Sequence, residues 1–131
     1  MAEKISAREQ AFIITFEKSF NEDVTVDELI SFADECENLA VSEKAKIAAK
    51  GIDENLAEID ETIEKHLRSW RKARLSKVAL AALRLGVYEL TKSKSAPVGV
   101  IISEAVNICK TYGTDEDKSF VNGVLGAVAR G

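Results

Sequence analysis

The sequence predicts an all-α fold, a compact arrangement of six or seven helices, and three observations carry that expectation. Apolar residues recur at helical spacing along nearly the whole chain, and no run alternates with the two-residue period of a strand. One Pro and seven Gly among 131 residues are too few for turn-rich sandwiches or barrels. Ala, Glu, Lys and Leu, all strong helix formers, are abundant. The length is that of a single domain, expected to span residues 1–131. Folding at this size hides roughly two-thirds of the unfolded surface, enough for a core without disulfides or metal. With 46% hydrophobic and 31% charged residues, the chain has a globular rather than a disordered balance.

Each element has its own signal. Phe12, Phe16 and Phe20 recur every four residues beside Ala11 and Ile14, predicting a first helix over about residues 7–20 that Asn21-Glu22-Asp23 ends. Thr25 and Glu28 stand at the spacing of a capping box, in which hydroxyl and carboxylate each satisfy an unpaired amide, so a second helix starts there and runs to about Glu37. Ser42 caps the next. From it Ile47, Ile52, Leu56, Ile59, Ile63 and Leu67 line one side of a long charged helix, with Gly51 as its weak point. Trp70 and Leu75 flank a basic connector, Arg71-Lys72-Ala73-Arg74. Ser76 then caps a helix to Glu89 whose run Val78-Ala79-Leu80-Ala81-Ala82-Leu83 has no polar side, the mark of a central helix buried over most of its circumference. Pro97, at a first helical position, opens a helix with Val98, Ile101, Ile102, Ala105, Cys109 and Tyr112 on one stripe, ended by Gly113. Asp115 caps a last helix in which Val121, Val124, Leu125 and Val128 recur at three and four.

The formal net charge of −4 is unevenly spread. Residues 1–20 balance three acids with three bases, residues 21–66 hold fourteen acids against four lysines, and residues 67–131 hold eleven bases against five acids. A basic second half can turn one face toward phosphates, whereas a uniformly acidic surface would repel them; solvated helix faces explain the same distribution. Cys36 and Cys109 lie far apart with no ligand cluster and read as free thiols filling small apolar sites in a reducing compartment. His66, the only histidine, has no ligand partners at zinc spacing and reads as a surface residue near a helix end. No segment nears the roughly eighteen apolar residues of a membrane span, so a cytoplasmic location with no membrane partner is expected. There is no nucleophile elbow, phosphate loop or dinucleotide-binding glycine motif, and the carboxylates fall on polar helix faces. Neither catalysis nor a cofactor is expected.

The second half carries an ordered set of blocks: Ala82-Leu83-Arg84-Leu85-Gly86-Val87-Tyr88-Glu89-Leu90, then Pro97, Glu104-Ala105-Val106, Lys110-Thr111-Tyr112-Gly113 and Phe120-Val121-Asn122-Gly123-Val124-Leu125. Together with Ala7-Arg8-Glu9 and Ala11 upstream, and the stretch from Ile59 to Trp70, they resemble the bacterial transcription antitermination factor NusB family over most of the chain. The blocks are specific in combination, since order and spacing agree. The resemblance implies two packed helical subdomains and a non-enzymatic role. It implies binding of single-stranded boxA RNA in nascent ribosomal transcripts as a heterodimer with NusE, a small-subunit ribosomal protein, within an RNA polymerase antitermination complex. A single RNA strand asks for cations along its backbone and flat side chains on which bases stack, which this composition can supply.

Position by position, the resemblance implies an RNA face made of Lys4 and Arg8, four apart on the first helix, and of Lys118, Ser119 and Phe120 at the start of the last. A phosphate there would also meet unpaired helix amides. An ordinary solvated helix start is the alternative for Lys4 and Arg8, and a core position for Phe120. The family's first motif is usually a denser arginine run, where this chain has Ile5 and Ser6; Ser103 stands where Asn is usual before the EA pair. Arg71, Lys72, Arg74 and Lys77, the densest basic cluster, fall outside that motif and read as a solvated connector. Two other functions fit the same residues: an RNA-docking module related to the N-terminal domains of ribosomal RNA methyltransferases, and a structural homodimer buried through the phenylalanines of the first helix.

Overall fold

The computed structural model describes residues 5–36, 40–67 and 75–131. Lys4, the predicted helix end at Glu37, Trp70 and the basic connector lie outside the described residues. Among those described, the order is α1 (Ala7–Lys18), α2 (Val26–Glu35), α3 (Glu43–Glu54), α4 (Leu56–Lys65), α5 (Lys77–Tyr88), a π-helical turn (Glu89–Ser93), α6 (Val98–Tyr112) and α7 (Asp115–Arg130).

The starts follow the short polar side chains. Ser6, Ser42 and Ser76 each accept the amide three residues on, and Thr25 with Glu28 completes the predicted capping box. Three boundaries differ from expectation. The long charged helix breaks at Asn55, not Gly51: Asn55 leaves helical geometry (φ −108°, ψ 18°) and its side-chain amide donates to the Gly51 carbonyl at 2.7 Å. Gly51 stays helical, and a Cβ there would sit 2.5 Å from Tyr88 Oη, so its bareness serves close packing instead. Pro97 takes the N-cap of α6, one position earlier than predicted. Thr114, not Asp115, caps α7: its hydroxyl accepts from the Asp117 amide while the Asp117 carboxylate accepts from the Thr114 amide, a box that a capping Asp115 could not form with Lys118.

Helix α5 is the centre. Ten of its twelve residues are buried, as the all-apolar run predicted, and it packs against α1, α3, α4, α6 and α7. The apolar core falls into two clusters. The larger surrounds α5 with Phe12, Ile52, Ile59, Ile63, Ile108 and Leu125. The smaller joins α1, α2 and α3 through Ile14, Leu29, Ile30, Ala33, Ala45 and Ala49. Phe12 and Ile14 put one side of α1 into each cluster, making that helix the shared wall. Two packed helical groups are what the family resemblance implied.

Helical period overreached at the ends. Ile47 is 65% exposed and Phe20, beyond the end of α1, is 58% exposed; Val98 and Tyr112 also lie outside the core. Ile47 lies within α3 but on the side opposite its buried Ala45 and Ala49. Cys109 is fully buried as expected, but Cys36, at the C-cap of α2, is exposed and fills no core site. His66 caps α4 with Nδ1 2.9 Å from the Thr62 carbonyl, the helix-end position expected of it. No described helix is long and apolar enough to cross a membrane.

Two outcomes are expected of the packing. A Cβ on Gly86 would lie 2.6 Å from Leu125 Cδ1, and Leu125 is wholly enclosed, so Gly86→Ala should lower stability by about 1–3 kcal/mol in urea unfolding. Burial, with a smaller contribution from the Asp117 charge, pushes the Cys109 thiol up from 9.0 to about 11. The folded state therefore holds this proton more tightly than the unfolded chain. Its contribution is complete below pH 9 and lost as pH rises from 9 towards 11. Cys109→Ala should flatten that part of the stability–pH curve measured by denaturation.

Candidate nucleic-acid interface

The predicted basic residues divide between two depressions. Helices α6 and α7 pack side by side, and the turn between them is tightened by Gly113, whose amide donates to the Cys109 carbonyl at 2.8 Å. Along their seam runs a shallow groove lined by Gly99, Ile102, Ser103 and Val106 from α6 and by Lys118, Ser119 and Asn122 from α7. Ser103, Ser119 and Asn122 are exposed. A Cβ on Gly99 would meet nothing within 4 Å, so a ligand can approach the α6 backbone there. Among the described residues Lys118 pairs only with Asp115, one turn back, at 3.3 Å, and Asp115 is fully solvated. An exposed pair of this kind contributes little and yields readily to a phosphate.

Phe120 belongs to the other side of α7. It is half-buried and packs against the main cluster, so the core role weighed for it is the one its contacts support. The unpaired amides expected at the α7 start are those of Asp115 and Glu116, the first two of the helix, which the cap does not engage. The capping box occupies the Thr114 and Asp117 amides, and Asp115, Glu116 and Asp117 already place three carboxylates in the first turn. Those charges compensate the helix dipole and repel an anion on the axis. A phosphate at this end has to be met by side chains from the groove.

Arg8 stands elsewhere, in a depression it shares with Ser6, Lys44, Tyr88, Ser93 and Ser95. Its Nε and Nη2 each donate to one carboxylate oxygen of Glu89 at 2.7 Å, a bidentate pair across 81 residues of sequence. Glu89, at the C-cap of α5, is only 6% exposed, whereas Arg8 remains partly open to solvent. The Glu89 hydrogen bond, opposed by partial burial and aided by the charges of Glu89 and Glu104, raises the guanidinium pKa from its ordinary value. A planar fork held this way keeps its Nη1 group outside the pair. Arg8 is thus a structural clamp between α1 and the end of α5, and not the freely solvated helix start that the sequence left open.

Sequence reading missed Ser103, Asn122 and Gly99 as groove residues, although Asn122 lies within the Phe120–Leu125 block and Ser103 just before the Glu104-Ala105 pair. It also missed that Arg8 and Glu89, each inside a quoted motif, are partners. Lys44 beside Arg8 had no signal, coming from the acidic middle of the chain. Lys77, counted with the solvated basic cluster, lies 5.5 Å over the Phe20 ring.

Because Glu89 is enclosed, deleting its partner strands a carboxylate. Arg8→Ala should therefore cost about 2–4 kcal/mol of stability, and the Arg8→Ala/Glu89→Ala double variant less than the sum of the single ones, as read by a double-mutant cycle in urea.

Comparison with known proteins places the chain. A sequence model of the NusB family matches residues 5–130. The transcription antitermination protein NusB of Lysinibacillus sphaericus is 41% identical over 119 residues, 91% of each chain. The solved structure of T. maritima NusB superposes with a TM-score of 0.82 at 36% identity, covering 98% of this chain and 93% of that one. A chain in the crystal structure of antitermination factors NusB and NusE in complex with dsRNA gives a TM-score of 0.83 at 33% identity, covering 95% of this chain and 93% of that one. Matched along nearly its whole length in sequence and in fold, this chain belongs to the NusB family.

Proposed function

We propose that the chain is a transcription antitermination factor that binds boxA RNA together with NusE and so helps RNA polymerase read through terminators. The observation that carries the RNA side is the α6–α7 groove. It sets Lys118, held among the described residues only by a fully solvated carboxylate, beside the exposed polar side chains of Ser103, Ser119 and Asn122. A lysine so loosely engaged can trade its partner for a phosphate at little cost. Neighbouring hydroxyls and an amide can then reach base edges of a strand whose bases are splayed. The partner side rests on the relative whose solved structure holds NusB with NusE and RNA.

In this reading residues 1–131 act as one RNA-binding unit, in the cytoplasm, by association and without catalysis. Lys118 and Ser119 are the core of the contact. Arg8, steadied by Glu89, offers its outer edge to a phosphate further along the strand, and Lys4 precedes it in sequence. Phe120 supports the α7 surface from beneath, and its ring is a stacking platform only at its exposed margin. The methyltransferase-docking alternative is less favoured, because the relative matched over 91% of its own length is an antitermination protein. The homodimer alternative loses most of its surface: of the α1 phenylalanines, Phe12 is enclosed, Phe16 is packed on the core, and Phe20 alone is widely exposed.

Gel-shift titration of boxA RNA and a scrambled control, each with and without NusE, tests this directly. Lys118→Ala should weaken boxA binding and flatten its logarithmic salt dependence by about 0.7, the share of one single-strand phosphate contact, while leaving the thermal midpoint unchanged. Ser119→Ala should weaken binding without altering that slope. Equal affinity for boxA and control in the presence of NusE would refute the proposal.

A further inference from the structure

The depression around Arg8 holds groups that the Arg8–Glu89 clamp does not use. Its volume is about 470 Å³, within the roughly 300–1,000 Å³ of small-ligand sites, and it lies between the start of α1, α3 and the end of α5. Part of its wall is apolar. Ile47, Ala48 and Leu85 line it, and Ile47 is 65% exposed and belongs to neither core cluster.

Tyr88 lines it from α5. The residue is 9% exposed, and its Oη, close enough to α3 that a Cβ on Gly51 would lie 2.5 Å away, has no hydrogen-bond partner among the described residues. Among those residues the one enclosed side-chain polar atom without a partner is Thr15 Oγ1, so the Tyr88 hydroxyl keeps an opening to solvent. A phenol so placed can both donate to and accept from a ligand, and a largely buried polar group is costly to leave unpaired. Ser93 and Ser95 add two exposed hydroxyls. They come from the strained exit of α5: the π-helical turn ends at Ser93, and Lys94 takes the left-handed region (φ 47°, ψ 36°) that side chains rarely adopt. Strain of this kind costs about 1–3 kcal/mol and gathers at ligand sites.

The charge at the edge is positive. Lys44 is exposed and forms no ion pair among the described residues, and its neighbour Glu43 is engaged by Lys46. Glu89 is the one carboxylate among the described lining residues, and both its oxygens already accept from Arg8. Glu104 adds its charge at Arg8 from α6 but does not line the depression. An incoming anion therefore meets an uncompensated ammonium and no open carboxylate oxygen in the lining.

An apolar wall, hydroxyls within and a cation at the edge match a flat ring with a polar rim and an anionic end. We propose that this depression binds one nucleotide. The base lies against Ile47 with its edge on Tyr88 Oη and the serine hydroxyls, and the phosphate meets Lys44 and the outer edge of Arg8. The nucleotide can belong to an RNA strand or be free. Ser95 here and Gly99 in the α6–α7 groove are four positions apart, at most about 14 Å, so one strand can reach both. The strand source rests on the RNA reading above; the free nucleotide does not.

The test is a two-dimensional NMR titration of the full chain with adenosine monophosphate, adenosine and inorganic phosphate. Adenosine monophosphate should shift the amide signals of Ile47, Ala48, Ser93 and Ser95 saturably, with a Kd on the order of 1 mM. Adenosine should bind about three-fold more weakly, and Lys44→Ala, at an exposed position, should remove most of that difference. Tyr88→Phe, which keeps the ring, should weaken both about five-fold. Gel shifts of boxA RNA with NusE then separate the sources. Weaker boxA binding by Lys44→Ala and Ile47→Ser identifies a strand nucleotide, whereas unchanged boxA binding beside lost adenosine monophosphate binding identifies a free one. Failure of the unaltered chain to distinguish boxA from the scrambled control sinks the RNA reading and leaves the titration standing. No saturable shift at these amides, inorganic phosphate binding as well as adenosine monophosphate, or adenosine binding equally well overturns the proposal.

Discussion

The arrangement of the whole molecule depends on burying one helix from every side. Helix α5 encloses ten of its twelve residues, and the apolar area so removed from water is the main favourable contribution to the fold. That enclosure imposes a condition on the two buried charged groups of the helix and its C-cap. Arg84 and Glu89 are 9% and 6% exposed, and a buried charge without a partner costs far more than an unmade surface contact. Arg84 is met by Asp60 of α4 through two hydrogen bonds of 2.9 Å, and Glu89 by Arg8 of α1 through two of 2.7 Å. Both pairs are bidentate, which fixes orientation as well as distance. Replacing a whole pair by apolar residues of like volume is expected to cost little, whereas removing one partner strands the other's charge. The two pairs specify which helices flank α5, and at what register, because any other arrangement would strand a charge in the core.

The same condition shapes the candidate interface. Arg8 cannot be both the partner of an enclosed carboxylate and a freely mobile cation, so its place in RNA recognition is limited to the edge that Glu89 leaves open. Lys118 has no such obligation. Its carboxylate partner is solvated, and the seam of α6 and α7 supplies exposed hydroxyls and an amide around it. Affinity for a polyanion is accordingly expected to reside on the α7 side. The acidic first turn of α7 makes that contact one of side chains rather than of helix amides.

The sequence by itself determined the helical class, the capped starts at Ser42, Thr25 and Ser76, and the central place of α5. These are local or composition-borne properties: a cap needs only the residue three positions on, and an all-apolar helix can be accommodated only inside. The motif blocks also carried the family. Tertiary structure alone decided three other matters. It set where an apolar residue stops meaning burial, since Ile47 falls off the Ala45/Ala49/Ile52 face of α3 and Phe20, met only at its ring by Phe16 and Lys77 among the described residues, stays 58% exposed. It put the break in the charged helix at Asn55 and gave Gly51 a packing role instead, against the Tyr88 ring 37 positions away. And it joined Arg8 to Glu89 and set Lys118 and Ser103 along one groove, placements that rest on how helices cross and which leave no trace in spacing along the chain.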